Sequence, residues 1–178
     1  MSPTPNERIL VVESDPDASD LIARQALRPL GYQVVVADDG PSAIRQAVQF
    51  QPHVILASLG MPGLSGKDLL VALSSQGINT PLIVLAEKGN EPSVIQAFRL
   101  GAYDYLMLPP RETEVVAAVE RALKQVREAG AREKLDAQIK QTNAELQRRV
   151  KELSTIFAVG RAVISITDQR VLFEKIVE

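Results

Sequence analysis

The sequence has no cysteine and no tryptophan, and its only histidine is His53. Without cysteine there is no disulfide, no thiolate metal site and no cysteine nucleophile. One histidine cannot build a multi-histidine metal centre. Aromatic residues make up only 4%, so any core must be mainly aliphatic. No apolar run approaches the ~18 residues of a membrane-crossing helix, and no signal-peptide pattern opens the chain. The formal charge of -2 gives no reason to expect a nucleic-acid partner. These absences lead to the expectation of a cytoplasmic protein with no membrane contact, no metal and no cofactor.

The chain's 178 residues, 46% of them hydrophobic, suit one globular domain plus an extension. Five short apolar runs stand out: RILVV (8–12), QVVVA (33–37), HVILA (53–57), PLIVLA (81–86) and the less regular YDYLM (103–107). None alternates strictly between apolar and polar, which predicts strands buried on both faces of a parallel sheet.

Helical patterns separate the runs. Asp15 followed by Pro16 reads as N-cap then first helical residue, with Leu21, Ile22, Ala26, Leu27 and Leu30 leading to Gly31. Pro41 opens a second helix, with Ile44, Ala47 and Val48 on one face. Ser65 and Asp68 form a capping-box pattern before Leu69, Leu70 and Leu73. Asn90 and Pro92 open a fourth helix, whose apolar stripe is Val94, Ile95, Phe98 and Leu100. A fifth starts near Thr113, with Val115, Val116, Val119 and Leu123 inward. Strand–helix alternation with short loops predicts right-handed crossovers and a doubly wound α/β sheet. Sites in such sheets lie at the carboxyl ends of the strands. Here those ends are Glu13–Asp15, Asp38–Asp39, Ser58–Leu59, Ala86–Lys88 and Leu108–Pro109.

Past residue 111 the helical composition continues to 153 without proline and with one glycine, Gly130. Leu135, Ile139, Leu146 and Leu153 recur at spacings of 4 and 7, with Thr142 and Arg149 on the companion positions. Two readings fit: a solvated helical linker, or a parallel two-stranded coiled coil with an imperfect seam.

The segments ILVVESDPDA, LGYQVVVADDGPSAI, PHVILASLGMPGLSG, TPLIVLAEKG and LGAYDYLMLPP, in that order, resemble a response-regulator receiver domain over about residues 7–125. The resemblance implies a flavodoxin-like fold, a five-stranded parallel sheet of order 2-1-3-4-5, here with a long C-terminal helical extension. It also implies phosphoryl transfer from a kinase phosphohistidine to an aspartate ending the third strand. Two acids after the first strand would hold Mg²⁺, because a hard cation needs clustered carboxylates. A Thr or Ser after the fourth strand and a Lys after the fifth would orient the transferred group and offset its charge.

Carried across residue by residue, those positions hold other side chains. The phosphoacceptor position is Ser58, and the acidic pair is Glu13 and Ser14. The Thr position is Ala86 and the Lys position is Leu108. Only Glu13 keeps its charge type. A serine hydroxyl needs a base or metal to become a nucleophile, so Ser58 reads as a small structural residue. Glu13 is expected to be solvated or paired with a cation such as Lys88. Leu108 puts an apolar side chain where an ammonium would reach a phosphoryl group. Tyr105 takes the position of the family's switch aromatic, as a rotamer switch or as a fixed interface residue. His53 reads as a surface histidine, and Gly63 and Gly66 as turn residues.

The tail LSTIFAVGRAVISITDQRVLFEKIVE resembles the opening helix of a GAF domain, with a break expected near Thr167–Asp168 and a second helix beyond it. The expected divisions are a receiver-like domain at 1–125, a coiled-coil linker at 126–153 and the start of a truncated GAF-like domain at 154–178. The helical pattern at the last residues suggests a fragment of a longer signalling protein whose output domain is missing.

The function expected is that of a degenerate pseudo-receiver: not an enzyme, but a dimerising and protein-docking module. The surface expected for this is Val94–Leu100, Tyr103–Met107 and Thr113–Leu123, with conformational change passed through the fifth helix into the coiled coil. Two alternatives stay open. One is a phosphoacceptor using a substitute nucleophile, Ser58 or Asp15. The other is a small-ligand sensor in a drier pocket bounded by Ser58, Ala86 and Leu108.

Overall fold

The computed structural model describes residues 7–61 and 64–176, with 162–176 as backbone only. Five strands form one parallel sheet: β1 Arg8–Val12, β2 Gln33–Ala37, β3 Val54–Ser58, β4 Leu82–Ala86 and β5 Asp104–Met107. Their order is β2-β1-β3-β4-β5. The expected order and the expected strands are both present, each within a residue of the apolar run that predicts it. Register places Val12 beside Ala37 and Ala57, Ser58 beside Leu85, and Ala86 beside Met107. The strands therefore end along one common edge.

The continuous apolar runs follow from two-sided burial. Side chains alternate across a strand, so Ile9, Val11, Leu56, Ile83 and Leu85 enter one core layer. Leu10, Val12, Ile55, Ala57, Val84 and Ala86 enter the other. The first layer packs on the segment after β1 and on the last helix. The second packs on the three helices between β2 and β5.

The first helix, α1, starts at Pro16 after Asp15, whose side chain accepts from the Asp17 N–H at 3.0 Å. Beyond Asp20 the helix widens over Leu21–Leu27 into π-type hydrogen bonding, where the Arg28 N–H reaches the Ala23 carbonyl. It tightens to a 3-10 turn at Arg28–Leu30 and ends on Gly31 at φ 91°. The next three helices are α2 Gly40–Phe50, α3 Gly66–Ser75 and α4 Glu91–Arg99. Asp39 caps α2, accepting from the Ser42 N–H, and that bond holds its carboxyl below the usual range. The Ser65–Asp68 capping box of α3 is present on both sides, and it lowers Asp68 likewise.

The face of α4 differs from its sequence pattern. Val94 and Ala97 are buried, whereas Ile95, Phe98 and Leu100 are exposed. Ala97 is fully buried, and its small side chain lets the helix approach the sheet closely, while Ile95, two positions before it, and Phe98, one position after it, remain outside.

The last helix, α5, runs Glu112–Ile176. Its backbone is helical through Thr167–Asp168, where the sequence suggested a break. The molecule divides into two units, Met1–Glu128 and Ala129–Glu178. No helix among the described residues is long and apolar enough to cross a membrane.

Candidate functional site

The carboxyl edge of the sheet brings Glu13, Ser58, Ala86 and Leu108 together at the ends of β1, β3, β4 and β5. Backbone hydrogen bonds hold each end: Glu13 N–H to Ala37 O at 3.0 Å, Leu59 N–H to Leu85 O at 2.9 Å, and Leu108 N–H to Ala86 O at 2.8 Å. Ser58 is buried at 6% exposure and Ala86 at 1%. Leu108 is half-buried and packs against the first core layer. Ser14 is exposed.

Glu13 is neither solvated nor paired with Lys88, as its sequence position suggested. It is 5% exposed, and its Oε1 accepts from the Asp15 N–H at 3.0 Å. Lys88 is exposed and makes no ion pair among the described residues. The reason is local: the chain turns from β1 into α1 directly after Glu13, and the turn folds the Asp15 amide back over the carboxylate. Glu13 Oε2 is buried without a partner among the described residues, an arrangement that costs about 1–3 kcal/mol for a polar group. Asp15, the other acid of this loop, already caps α1.

A Mg²⁺ ion does not fit these residues. One buried carboxylate oxygen is free, the neighbouring position is an exposed serine, and the strand that would offer a carboxylate ends in Ser58. Among the described residues no three His, Cys, Asp or Glu side chains cluster as a metal site requires.

The loop after β3 keeps its close packing even so. A Cβ on Gly66 would stand 2.7 Å from the Ser58 carbonyl oxygen. Gly66 therefore serves close approach rather than an unusual backbone angle. Gly63, read as the companion turn residue, lies outside the described residues.

A cavity of about 350 Å³ opens beside this edge, lined by Asp15, Asp17, Leu21, Glu87, Leu108 and the two following prolines, among others. Leu108 borders it, but Ser58 and Ala86 do not. It is therefore a different hollow from the pocket bounded by Ser58, Ala86 and Leu108.

Tyr105 lies away from the edge. It is 45% exposed, and its ring meets Phe98 edge-on, with centroids 5.9 Å apart and planes at 82°. Ile95, one helical turn before Phe98, is exposed as well. Beside Tyr105, Asp104 of β5 pairs with Arg121 of α5 at 2.6 Å. This pair locks the edge strand to the helix. No charge signal in the sequence marks it, because the partners are 17 residues apart.

His53 sits at the opposite, amino edge and is half-buried rather than a free surface residue. Its Nδ1 accepts from the Arg8 backbone N–H at 3.0 Å, and the His53 backbone N–H donates to the Arg8 carbonyl at 2.7 Å. Burial, with Arg8 nearby, pushes its pKa below the usual 6.5.

Comparison with known proteins agrees with this architecture. Residues 9–120 match the model of the response regulator receiver domain. The chain is 33% identical over 117 residues to the transcriptional regulatory protein PrrA of Mycobacterium tuberculosis, covering 66% of this chain and 50% of that protein. It is 32% identical over 116 residues to the C4-dicarboxylate transport transcriptional regulatory protein DctD of Pseudomonas aeruginosa, covering 65% and 25%. The chain thus spans half or less of these relatives' lengths. Among solved structures, the receiver domain of NtrX from Brucella abortus superposes with a TM-score of 0.62 at 30% identity, over 65% of this chain and 98% of that one. The Francisella response regulator 1452 receiver domain gives 0.62 at 30% identity, over 67% and 98%. Fold, strand order and matched sequence agree, and the chain belongs to the response regulator receiver domain family.

Proposed function

We propose that this receiver works without phosphorylation, as a dimerising and protein-docking module in a two-component-type signalling protein. The observation that carries the reading is the buried Ser58 at the end of β3, flanked by Ala86 and Leu108 and served by one carboxylate. A serine hydroxyl at neutral pH is not a nucleophile until a base takes its proton. The Glu13 carboxylate already spends one oxygen on the Asp15 amide. An incoming phosphoryl group would bring negative charge to an edge where Leu108 offers no ammonium to offset it.

The docking face is Ile95 and Phe98 of α4, Tyr105 of β5 and the adjoining turns of α5. The Phe98–Tyr105 contact supports Tyr105 as a fixed interface residue. A repacking of this face in a dimer would pass into α5 and along its later turns, which act as a coiled coil. The segment after 153 serves as the entry to a further domain of GAF type.

The test is intact mass after incubation with a small acyl-phosphate donor and Mg²⁺. The native chain is expected to gain no phosphate. Stoichiometric phosphate on Ser58 or Asp15 would overturn the reading in favour of a substitute nucleophile. A thermal-shift panel of small neutral ligands separates the sensor alternative, which predicts a stabilising hit that Leu108→Lys removes.

A further inference from the structure

The second unit carries its large apolar side chains outside. Ile139, Leu146, Val150, Leu153 and Phe157 are 49, 54, 57, 56 and 70% exposed. Together with the exposed Asn143 they follow one another at steps of four, three, four, three and four residues. At 3.6 residues per turn, these six positions fall within a stripe about 80° wide. The seam suggested by leucine spacing alone ran through Thr142 and Arg149. Arg149 lies about 80° from the centre of the stripe, and its guanidinium donates to Glu145 of its own helix at 2.8 Å.

Resting on the dimer proposed above and deepening it, we infer that this stripe packs in parallel and in register against the same stripe of a second copy. The two Asn143 amides meet across the seam and set the register. In heptad terms Asn143, Val150 and Phe157 take the a positions, and Ile139, Leu146 and Leu153 take d. A β-branched residue at a with leucine at d favours two parallel strands, and a single asparagine at a specifies their register.

The choice of a second copy follows from the amide. Once covered, Asn143 needs a hydrogen-bonding partner. An antiparallel copy, or an apolar helix of another protein, would set a hydrocarbon side chain against it. Only the parallel, in-register copy supplies an identical amide at the same height. The flanks agree, since Thr142 then faces Gln147 of the second copy and Arg149 faces Ser154, with no like charges opposed.

The absence of native cysteine makes the test clean, because each single-cysteine variant of the full chain has one thiol. Light scattering reports the mass of each variant, and mild oxidation reports which positions meet. Leu146→Cys and Val150→Cys are expected to form covalent dimers about ten-fold faster than Arg149→Cys and Gln141→Cys, which lie on the flank and the back. Asn143→Val is expected to persist to lower concentration as an oligomer but to mix dimers with trimers. A monomer for the native chain overturns both the dimer and this seam. A dimer that crosslinks best through Arg149→Cys, or through a mixed Ile139→Cys and Phe157→Cys pair, overturns the seam while leaving the dimer standing. A single unchanged dimer for Asn143→Val overturns the asparagine's role.

Discussion

Leu56 and Leu146 are the same residue in opposite circumstances. Leu56 lies in β3, fully buried between neighbouring strands and helices of its own chain. Leu146 lies in the second unit at 54% exposure, as do its apolar neighbours along the helix. The receiver unit buries most of its large hydrophobic residues within itself, with Ile95, Phe98 and Tyr105 among the exceptions. The helical unit carries a stripe that stays exposed among the described residues. A lone helix gains little from its own hydrogen bonds in water and is held chiefly by packing, and this is why the proposed seam is placed on that stripe. The receiver's carboxyl edge shows the converse: Ser58 and Ala86 are buried there among the strand ends of their own unit.

Restoring the chemistry is the most severe challenge to that contrast. A chain carrying Ser14→Asp, Ser58→Asp, Ala86→Thr and Leu108→Lys is expected to move from no labelling to stoichiometric, Mg²⁺-dependent labelling by an acyl-phosphate donor, read by intact mass. No labelling would mean that the scaffold itself has diverged beyond reactivation.

Next in size is the leucine pair. Leu56→Ala is expected to lower the stability of the receiver unit by about 3 kcal/mol through lost burial and a cavity. Leu146→Ala should leave receiver unfolding unchanged and weaken only the concentration-dependent association. Denaturant melts at two protein concentrations distinguish the two, and equal effects on the receiver transition would dissolve the comparison.

The glycines sharpen the contrast further. Gly66→Ala must push a methyl against the Ser58 carbonyl and is expected to cost about 1–3 kcal/mol. Gly130→Ala meets nothing within 4 Å and is expected to stabilise the helix by about 1 kcal/mol. Opposite signs in thermal melts are the expected result.

Phe98→Ala with Tyr105→Ala should shift stability by about 1 kcal/mol, the scale of an exposed aromatic pair, yet abolish docking through α4 and β5. A pull-down or dimer measurement that ignored the double variant would remove this face from the mechanism.

The smallest effect belongs to His53. Burial and Arg8 lower its pKa in the folded chain from 6.5, so folding favours the neutral ring, whose Nδ1 accepts the Arg8 amide. Its contribution is complete above about pH 6.5 and declines as pH falls below that value, because the unfolded chain then binds the extra proton. Melting temperature measured from pH 7.5 to 5.5 should fall more for the native chain than for His53→Gln.

The strands were legible because a parallel sheet covered on both faces writes an unbroken apolar run. The caps at Asp15 and Ser65 were legible because their partners lie within three residues. Asp39 escaped notice since the proline two residues on dominated the pattern. The π-type stretch at Leu21–Leu27 carries no proline or glycine to announce it. The places of Ser58, Ala86 and Leu108 at the strand ends were readable from the apolar runs, whereas the burial of Glu13 was not.

By itself, the sequence determined the order of elements, the family and the side chains present at the phosphoacceptor, Thr and Lys positions. Each depends on neighbours a few residues apart or on identity at a known place. Only the tertiary structure decided that Glu13 turns inward under the Asp15 amide, that α4 buries Ala97 and leaves Phe98 outside, and that Asp104 holds Arg121. Periodicity reveals which residues share a face. Which face meets the sheet depends on the volume left by strands and helices distant in sequence, and that exists only once they have packed.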